Sequence, residues 1–418
     1  MVTVDQIVIV GLLVVAFSLV SQRLARWQIT APMVFGLAGI VMFSVGSSLN
    51  VANEDVHLLA ELALVVVLFH DASTVQLREL RHDWTVPTRL LAIGFPLALF
   101  FTFLVVFLFL PLLGIAGAIL LAASITPTDA GLGAPTVLNP VVPVRIRRAL
   151  NVESGLNDGL ATPIVLAALA SLSAEEGVAL PTFLQIGLVP LALGLLVGVL
   201  LGLVGGLLVD LSRRWSCSSK RGSAIGILVL PFLAFGVAEI VGANGFVAAF
   251  VGGLIFGTAS RVYQREEEAA ELLEVGSDLL SYVVWFFAGG LVVTVLSNGF
   301  RWQWLVIAVA ALTVLRIVPV AIALIGTGFN WRTNLFVGWF GPRGLATIVF
   351  LLLTVEELGR NHGIVSDIAG VATVTVALSV VTHGASAAPL SQRFGSWVSS
   401  NQPHAEMATS IEPKARGK

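Results

Sequence analysis

Long apolar runs recur along the chain, and each is close to the length of a helix that crosses a membrane. Such a helix needs roughly 20 predominantly apolar residues. Short polar connections separate the runs, so the pattern predicts an all-α, polytopic membrane protein with about thirteen transmembrane helices. The predicted spans are 4–21, 29–47, 57–72, 86–110, 112–128, 149–172, 182–209, 222–241, 244–259, 279–297, 302–326, 332–355 and 364–388.

The composition indicates that lipid is the solvent. Of the 418 residues, 57% are hydrophobic and 11% are charged, whereas a soluble domain carries about 25% charged residues. The net charge of −2 gives no sign of a nucleic-acid partner, and none is predicted. The single cysteine, Cys217, excludes an internal disulfide and a cysteine-based metal site.

Basic residues are distributed unevenly between the two sides of the predicted bundle. Of the 23 Lys and Arg residues, 19 lie in connections on one side or in the C-terminal tail. Arg301 and Arg360 lie on the other side, and Arg316 and Arg343 lie within predicted helices. Cytoplasmic loops carry the excess of Lys and Arg. We therefore predict a plasma (inner) membrane protein with its N-terminus outside and its C-terminus in the cytoplasm.

Two predicted helices are interrupted by proline and glycine. The fifth is broken at 126–129, which includes Pro127, and the twelfth, seven helices later, is broken at 341–344, which begins with Gly341. Paired breaks at matching places in two halves are typical of transporters built from inverted repeats, whose binding site lies at the breaks. The sequence therefore predicts inverted repeats with two broken helices that cross.

The start of the sixth span carries the densest polar cluster, Glu153, Ser154, Asn157 and Asp158. Helical spacing puts Glu153 in line with Asn157, which suits an arginine partner, and Ser154 in line with Asp158. A carboxylate beside a hydroxyl suits a small hard cation, because such ions prefer oxygen ligands. The alternative is a polar helix start in which Ser154 and Asn157 cap the backbone.

The break in the fifth span supplies further oxygen ligands. Pro127 removes a backbone donor and disrupts the preceding turn, and Thr128 and Asp129 follow directly. Carbonyls freed by an unwound segment can coordinate a cation. The alternative is an ordinary helix end followed by a turn.

Three more charged residues lie within the predicted spans. Asp71 ends the third span, either facing the same cavity as Asp158 or facing water at the membrane boundary. Arg316 lies deep in the eleventh span and needs an acidic partner, for which Glu153 is the best candidate. Arg343 lies at the second break, where it either offsets the negative end of a half-helix or extends to the inner surface.

These motifs resemble those of monovalent cation/proton antiporters of the NhaP type, the prokaryotic relatives of animal sodium/proton exchangers. The resemblance rests on ESGLNDG at 153–159, TPTDAGLGAP at 126–135, NGFVAAFVGGLIFG at 244–257, GWFGPRGLATIVF at 338–350 and the lone Arg316. It extends over most of the chain, and it implies an NhaA/NhaP-like fold.

The resemblance also implies a site. Asp158 would bind either the cation or the proton, and Ser154, Asp71 and the Thr128–Asp129 region would complete a Na⁺ shell. Glu153 and Arg316 would form a structural ion pair steadied by Asn157. The transported ions would be the only small-molecule partners, without a cofactor.

Family members are homodimers in which a moving core works against a scaffold. The implied organisation is scaffold and dimerisation helices at 1–85 and 222–298, core helices at 86–172 and 299–388, a linker helix at 173–221 and a short cytoplasmic tail at 389–418.

The predicted function is secondary active transport, with no enzymatic activity. Protons would exchange for Na⁺, Li⁺ or K⁺ by competition at Asp158. We predict an exchange of one for one, because Asn157 leaves a single titrating carboxylate beside it. Two alternatives stay open. One is a membrane-embedded hydrolase that uses Asp129 and Asp158 as acid and base. The other is a channel or symporter on the same plan.

Overall fold

The structure is a computed structural model that describes residues 4–45, 54–75, 84–173, 180–297, 299–359 and 363–408. All regular structure in these residues is helical, which confirms the predicted all-α class. Nine helices of the described part are long and apolar enough to cross a membrane, and α2 and α9, as numbered below, are shorter apolar helices. The count of thirteen spans stays a prediction.

We number the helices in chain order and give the halves of an interrupted helix the letters a and b. They are α1 Val4–Arg26, α2 Ala31–Ser44, α3 Glu54–Thr74, α4 Thr85–Phe109, α5a Gly114–Ile125, α5b Ala130–Val137, α6 Val144–Ser173, α7 Leu180–Arg214, α8 Lys220–Ile240, α9 Gly245–Ala259, α10 Glu267–Ser297, α11a Trp302–Leu312, α11b Val314–Ala323, α12a Trp331–Trp339, α12b Leu345–Leu358 and α13 Val365–Asn401.

Three helices extend well beyond their predicted ends. Helix α5 continues past its break to Val137 instead of ending at residue 128, α10 begins at Glu267 instead of residue 279, and α13 continues to Asn401 instead of residue 388. The extension of α13 buries Ser391, Phe394 and Val398 at helical spacing. Polar residues on its other face lower the average hydropathy, so a search for apolar runs ends the helix too early.

The predicted tail at 389–418 therefore needs correction over its described part. After α13 the chain folds back, and the carbonyl of Ala405 accepts a hydrogen bond from Arg145 Nη1 at 2.6 Å. The buried Glu406 accepts from Asn330 N at 2.8 Å and from Thr333 Oγ1 at 2.6 Å. The segment therefore packs against the start of α6 through Arg145 and against the start of α12a through Glu406.

Close helix packing through glycine joins α7 to α9. A methyl group added at Gly194 would lie 2.6 Å from the carbonyl oxygen of Asn244, and one at Gly198 would lie 2.7 Å from that of Ala248. Small residues let helix backbones approach when no hydrophobic effect drives them together. The predicted linker helix thus lies along a helix of the predicted scaffold.

The centre of the molecule is α12b, in which every residue from Leu345 to Thr354 is buried. A helix that is apolar all round is buried by protein or lipid, and here protein surrounds it. By contrast, the apolar window of α1 is not buried by the rest of the described chain. The broken helices therefore lie in the interior, where unpaired backbone groups are costly.

Candidate functional site

The two interrupted helices meet at their breaks. Helix α5 is open between Ile125 and Ala130, and α12 is open between Trp339 and Leu345. The amide of Asp129 donates to the carbonyl of Pro342 at 2.8 Å, so the two unwound segments are joined through their backbones. The crossing predicted from the paired Gly/Pro breaks is present in the structure.

Asp129 caps two half-helices at once. Its Oδ1 accepts from Leu132 N at 2.8 Å, at the start of α5b, and its Oδ2 accepts from Leu345 N at 2.8 Å, at the start of α12b. A Cβ at Gly344 would collide with this carboxylate, so only glycine permits the contact. Helix N-termini leave amide donors unpaired and favour negative charge. The described contacts of Asp129 hold the crossing together.

Arg343 serves the opposite helix ends. Its Nη1 donates to the carbonyl of Pro127, just beyond α5a, at 3.0 Å, and its Nη2 donates to the carbonyl of Ala311 in α11a at 3.1 Å. The side chain is buried. Helix C-termini carry free carbonyls and favour cations. Arg343 therefore lies at the end of a half-helix, as one of its two predicted placements expected, and does not reach the surface.

A third interruption escaped the sequence analysis. Helix α11 is divided at Thr313, whose φ of −120° and ψ of −95° are not helical. No glycine or proline stands at the division, and the nearest proline is Pro319. At this break the carbonyl of Ala311 accepts a hydrogen bond from the Arg343 side chain and not from an amide of its own helix. The donor that stabilises the break is therefore distant in sequence.

Glu153 and Arg316 form the buried ion pair that the sequence predicted between them. Both guanidinium nitrogens Nη1 and Nη2 bind the carboxylate, and the Nη2–Oε2 distance is 2.7 Å. The side chains are 1% and 3% exposed, so the pair is withdrawn from water. Paired, fork-like contacts of this kind are the strongest of ion-pair geometries. Gly341 packs against the guanidinium, where a side chain would not fit.

Asn157 contacts a different partner from the one expected. Its Nδ2 donates to Thr128 Oγ1 at 2.7 Å, and Thr128 Oγ1 lies 2.8 Å from Ser154 Oγ. The described contacts of Asn157 therefore do not include the ion pair of Glu153 and Arg316. Its Oδ1 is buried without a hydrogen-bond partner among the described residues. The Asn157 side chain therefore points from α6 toward the break in α5.

Asp158 is the buried acid that lacks a hydrogen-bonded partner. Its residue is 7% exposed, and no described residue donates a hydrogen bond to its carboxylate. The carboxylates of Asp129 and Asp71 repel it, and the guanidinium of Arg343 attracts it. It lies one helical turn beyond Ser154, on the same face of α6.

Asp71 is buried and does not face bulk water. Its Oδ1 lies 3.1 Å from Nδ1 of His70, which is also buried. Helix α3 approaches α6 closely here, because a Cβ at Gly155 would lie 3.1 Å from the carbonyl oxygen of Asp71. His70 is thus both the neighbour of Asp71 in sequence and its side-chain partner.

Two further residues of α13 support the second break. Ser379 Oγ accepts from Arg343 N at 2.6 Å and lies 3.2 Å from Nδ1 of His383. Nε2 of His383 lies 2.9 Å from the carbonyl oxygen of Trp339, the last residue of α12a. Together they satisfy backbone groups on both sides of the unwound segment. Sequence pattern gives no signal for this, since both residues lie inside an uninterrupted helix.

The arrangement offers the Asp158 carboxylate, two hydroxyl oxygens and the amide oxygen of Asn157, which has no hydrogen-bond partner among the described residues. These are ligands for a small monovalent cation or a proton. The family model described as "Sodium/hydrogen exchanger, transmembrane" matches residues 9–393. This chain belongs to the sodium/hydrogen exchanger family.

Individual relatives agree with this membership. The chain is 26% identical over 293 residues to a Na⁺/H⁺ antiporter of Schizosaccharomyces pombe, covering 65% of this chain and 60% of that protein. It is 27% identical over 371 residues to a Na⁺/H⁺ antiporter of Saccharomyces cerevisiae, covering 84% and 37%. The chain thus spans only part of the length of both relatives.

The fold agrees with a solved structure of the same class. The sodium proton antiporter MjNhaP1 from Methanocaldococcus jannaschii superposes with a TM-score of 0.73 at 21% identity, covering 93% of this chain and 98% of that one. At this identity the likeness establishes the NhaP-like fold of this family member.

Proposed function

We propose that this chain is a secondary transporter that exchanges protons for Na⁺, Li⁺ or K⁺ by competition at Asp158. The observation that supports this most directly is the contrast between the acids around the crossing. Glu153 is paired with the Arg316 guanidinium and Asp129 accepts hydrogen bonds from two backbone amides, whereas Asp158 has no hydrogen-bond donor among the described residues. A buried carboxylate in this state needs a cation or a proton.

The proposed cation shell is the carboxylate of Asp158 with the hydroxyls of Ser154 and Thr128. The unpaired Oδ1 of Asn157 supports a further oxygen ligand. Asp71 acts on this site through its charge in the proposal, since the Asp71 carboxylate lies close enough to repel that of Asp158. Asp129, which the sequence placed among the ligands, holds the crossing in this proposal.

Competition couples the two ions. Asp158 holds either a cation or a proton, and only the neutral site crosses between the two faces of the membrane. Alternating access then follows from a core of helices α4–α6 and α11–α13 that moves against helices α1–α3 and α8–α10. Support comes from the seam at Gly155, where α6 lies against the α3 backbone.

The partners and setting follow from the same proposal. We place the chain in the plasma or inner membrane as a homodimer, with the arginine-rich ends of the helices in the cytoplasm. Arg89, near the start of α4, donates to carbonyls at the end of α11b, so these basic residues also serve helix ends.

The test is a proton-flux assay in reconstituted vesicles with an entrapped pH-reporting dye. Addition of Na⁺, Li⁺ or K⁺ should release protons with the wild-type chain and should not with Asp158→Asn. Glu268→Gln is the matched control, since Glu268 is an exposed acid paired with Lys220 at the surface. Retained exchange in Asp158→Asn would contradict the proposal.

Competition between the proton and the cation also predicts how the apparent KM for Na⁺ depends on pH in the same assay. Where the site is mostly protonated, each unit of pH decrease should raise the apparent KM for Na⁺ about tenfold while the maximal rate stays constant, because one proton excludes one cation. A KM independent of pH, with a falling maximal rate, would instead indicate a separate titrating group.

Exchange of one proton for one cation moves no net charge. We therefore expect no steady current when Na⁺ is added to vesicles on a solid-supported electrode, even while the dye reports proton movement. A sustained current under those conditions would overturn the electroneutral stoichiometry and leave the exchange itself intact.

A further inference from the structure

A groove of about 480 Å³ opens on the surface at the end of the molecule where α12a begins and α13 ends. Helices α11b, α12a and α13 form its walls. The same end carries the start of α6, since Arg145 contacts Ala405 and lies 5.1 Å from the centre of the Phe329 ring. The groove is therefore on the arginine-rich side of the molecule.

Two arginines stand in this groove without an acidic partner. Arg332 and Arg393 are exposed, and neither guanidinium makes an ion pair or hydrogen bond with the described residues. Arg332 lies 5.5 Å from the ring centre of Trp331 and 5.6 Å from that of Trp397. Stacking on aromatic faces holds a guanidinium in place while its N–H groups remain available to a ligand.

The rest of the groove is apolar and open to lipid. Leu335 and Trp331 are 45% and 63% exposed, on the outer surface of α12a. Trp339 and Phe394 line the inner part. Tryptophan and arginine at the end of a spanning helix are typical of the level of the lipid headgroups. The positive charge therefore suits the headgroup of a lipid, and the apolar trough suits an acyl chain.

We propose that this groove binds one anionic phospholipid, whose phosphate contacts Arg332 and Arg393 and whose acyl chain packs along Leu335 and Trp339. The charges select this occupant, because an anionic headgroup neutralises both arginines and a zwitterionic one retains its own positive group nearby. A free anion fits only the charged end and leaves the apolar trough open.

The groove also reaches the transport machinery. Its inner wall includes Trp339 and Phe340, which lead directly into the second break, and the Trp339 carbonyl contacts His383. A bound lipid would therefore hold α12a against α13. We expect anionic lipid to raise the thermal stability of the purified protein, an effect that needs no transport.

The test is lipid binding to the full chain in neutral detergent, read by native mass spectrometry and by thermal unfolding. Phosphatidylglycerol should bind and stabilise, whereas phosphatidylcholine should not. Arg332→Gln together with Arg393→Gln should weaken phosphatidylglycerol binding about tenfold or more, since each arginine near an anionic lipid contributes to affinity. The control is Arg26→Gln, an exposed arginine in the last turn of α1, which should bind normally.

Several outcomes would overturn the site. Equal stabilisation by phosphatidylcholine would indicate a trough for any lipid. Equal loss in Arg26→Gln would indicate general surface attraction, and full protection by inorganic phosphate would indicate a free-anion site. If the double variant does not fold, Leu335→Trp, which fills the trough, should lower binding, and unchanged binding would contradict the proposal. Lipid binding and thermal unfolding do not depend on ion transport. Their results therefore test the lipid site independently of the proposed exchange.

Discussion

Three acids around the crossing interact with their surroundings in three different ways, although each lies where charge is costly. Glu153 is matched by a guanidinium, and Asp129 is matched by two helix N-termini. Asp158 is left without a hydrogen-bond donor among the described residues. Residue type does not distinguish these roles. The roles depend on which hydrogen-bond donor the fold places beside each carboxylate. Glu153 and Asp129 have such donors and are structural, whereas Asp158 remains available to an ion.

Asp129→Ala should therefore destabilise the protein more than Asp158→Asn. Loss of two N-caps should lower the free energy of unfolding by about 2 kcal/mol, since each cap contributes roughly 0.5–2 kcal/mol. Asp158→Asn should unfold like the wild type, because it removes no described hydrogen bond. Thermal unfolding in detergent compares the two, and equal stability of both variants would argue against the capping role.

The ion pair of Glu153 and Arg316 makes a prediction that depends on both members. Arg316→Met alone leaves a buried carboxylate unpaired and should cost about 3–5 kcal/mol. Glu153→Leu combined with Arg316→Met should recover much of that loss, because no charge then remains buried. Denaturant unfolding of both singles and the double variant gives the coupling, and simply additive effects would contradict direct pairing.

At the scale of helices, the interruptions follow from one requirement: buried backbone groups need partners. Each break is supplied from another helix, by Asp129 and Arg343 at the crossing and by Ser379 and His383 from α13. The half-helices are thereby fixed relative to each other. The seam between α6 and its neighbours instead uses small residues, which suits helices that slide.

Gly159→Ala tests that seam. A Cβ at Gly159 would collide with the ring of Phe250 on α9, so the variant should force α6 and α9 apart at a cost of about 1–3 kcal/mol and slow exchange. Adding Phe250→Ala should restore much of the rate by making room. Gly226→Ala on α8 meets open space and should behave as wild type. Rate loss without rescue in the dye assay would count against a steric cause.

At the scale of the whole molecule, the end of the chain is tied to the core. The segment after α13 contacts the start of α6 through Arg145 and the start of α12a through Glu406. Both helices contribute to the crossing, so their outer ends are clamped together at one side. The hydrophilic composition of this segment gave no sign of the packing, because the contact depends on a buried carboxylate that accepts two hydrogen bonds and not on apolar area.

Glu406→Ala should loosen this clamp. Removing the acceptor leaves the amide of Asn330 and the hydroxyl of Thr333 without a partner, at a cost of about 1–3 kcal/mol. Glu357→Ala is the control, since Glu357 is an exposed acid at the end of α12b. Thermal unfolding should separate the two variants, and an unchanged midpoint for Glu406→Ala would show that the contact contributes little.

Local pattern determined much of this protein. Apolar runs predicted the helices, Pro127 and Gly341 marked the two breaks, and the requirement that a buried charge be matched predicted the partnership of Arg316 and Glu153. These inferences depend on hydropathy, helical spacing and desolvation, which are properties of short stretches of chain.

Only the tertiary structure decided the remaining roles. Asn157 binds Thr128, and Asp129 caps two half-helices. The break at Thr313 and the contact of His383 with the second break have no signal in the local sequence. Each of these depends on a donor or acceptor supplied by a distant segment. The sequence indicates which polar groups the chain must bury, but the packing of the helices determines the hydrogen-bond partner of each group.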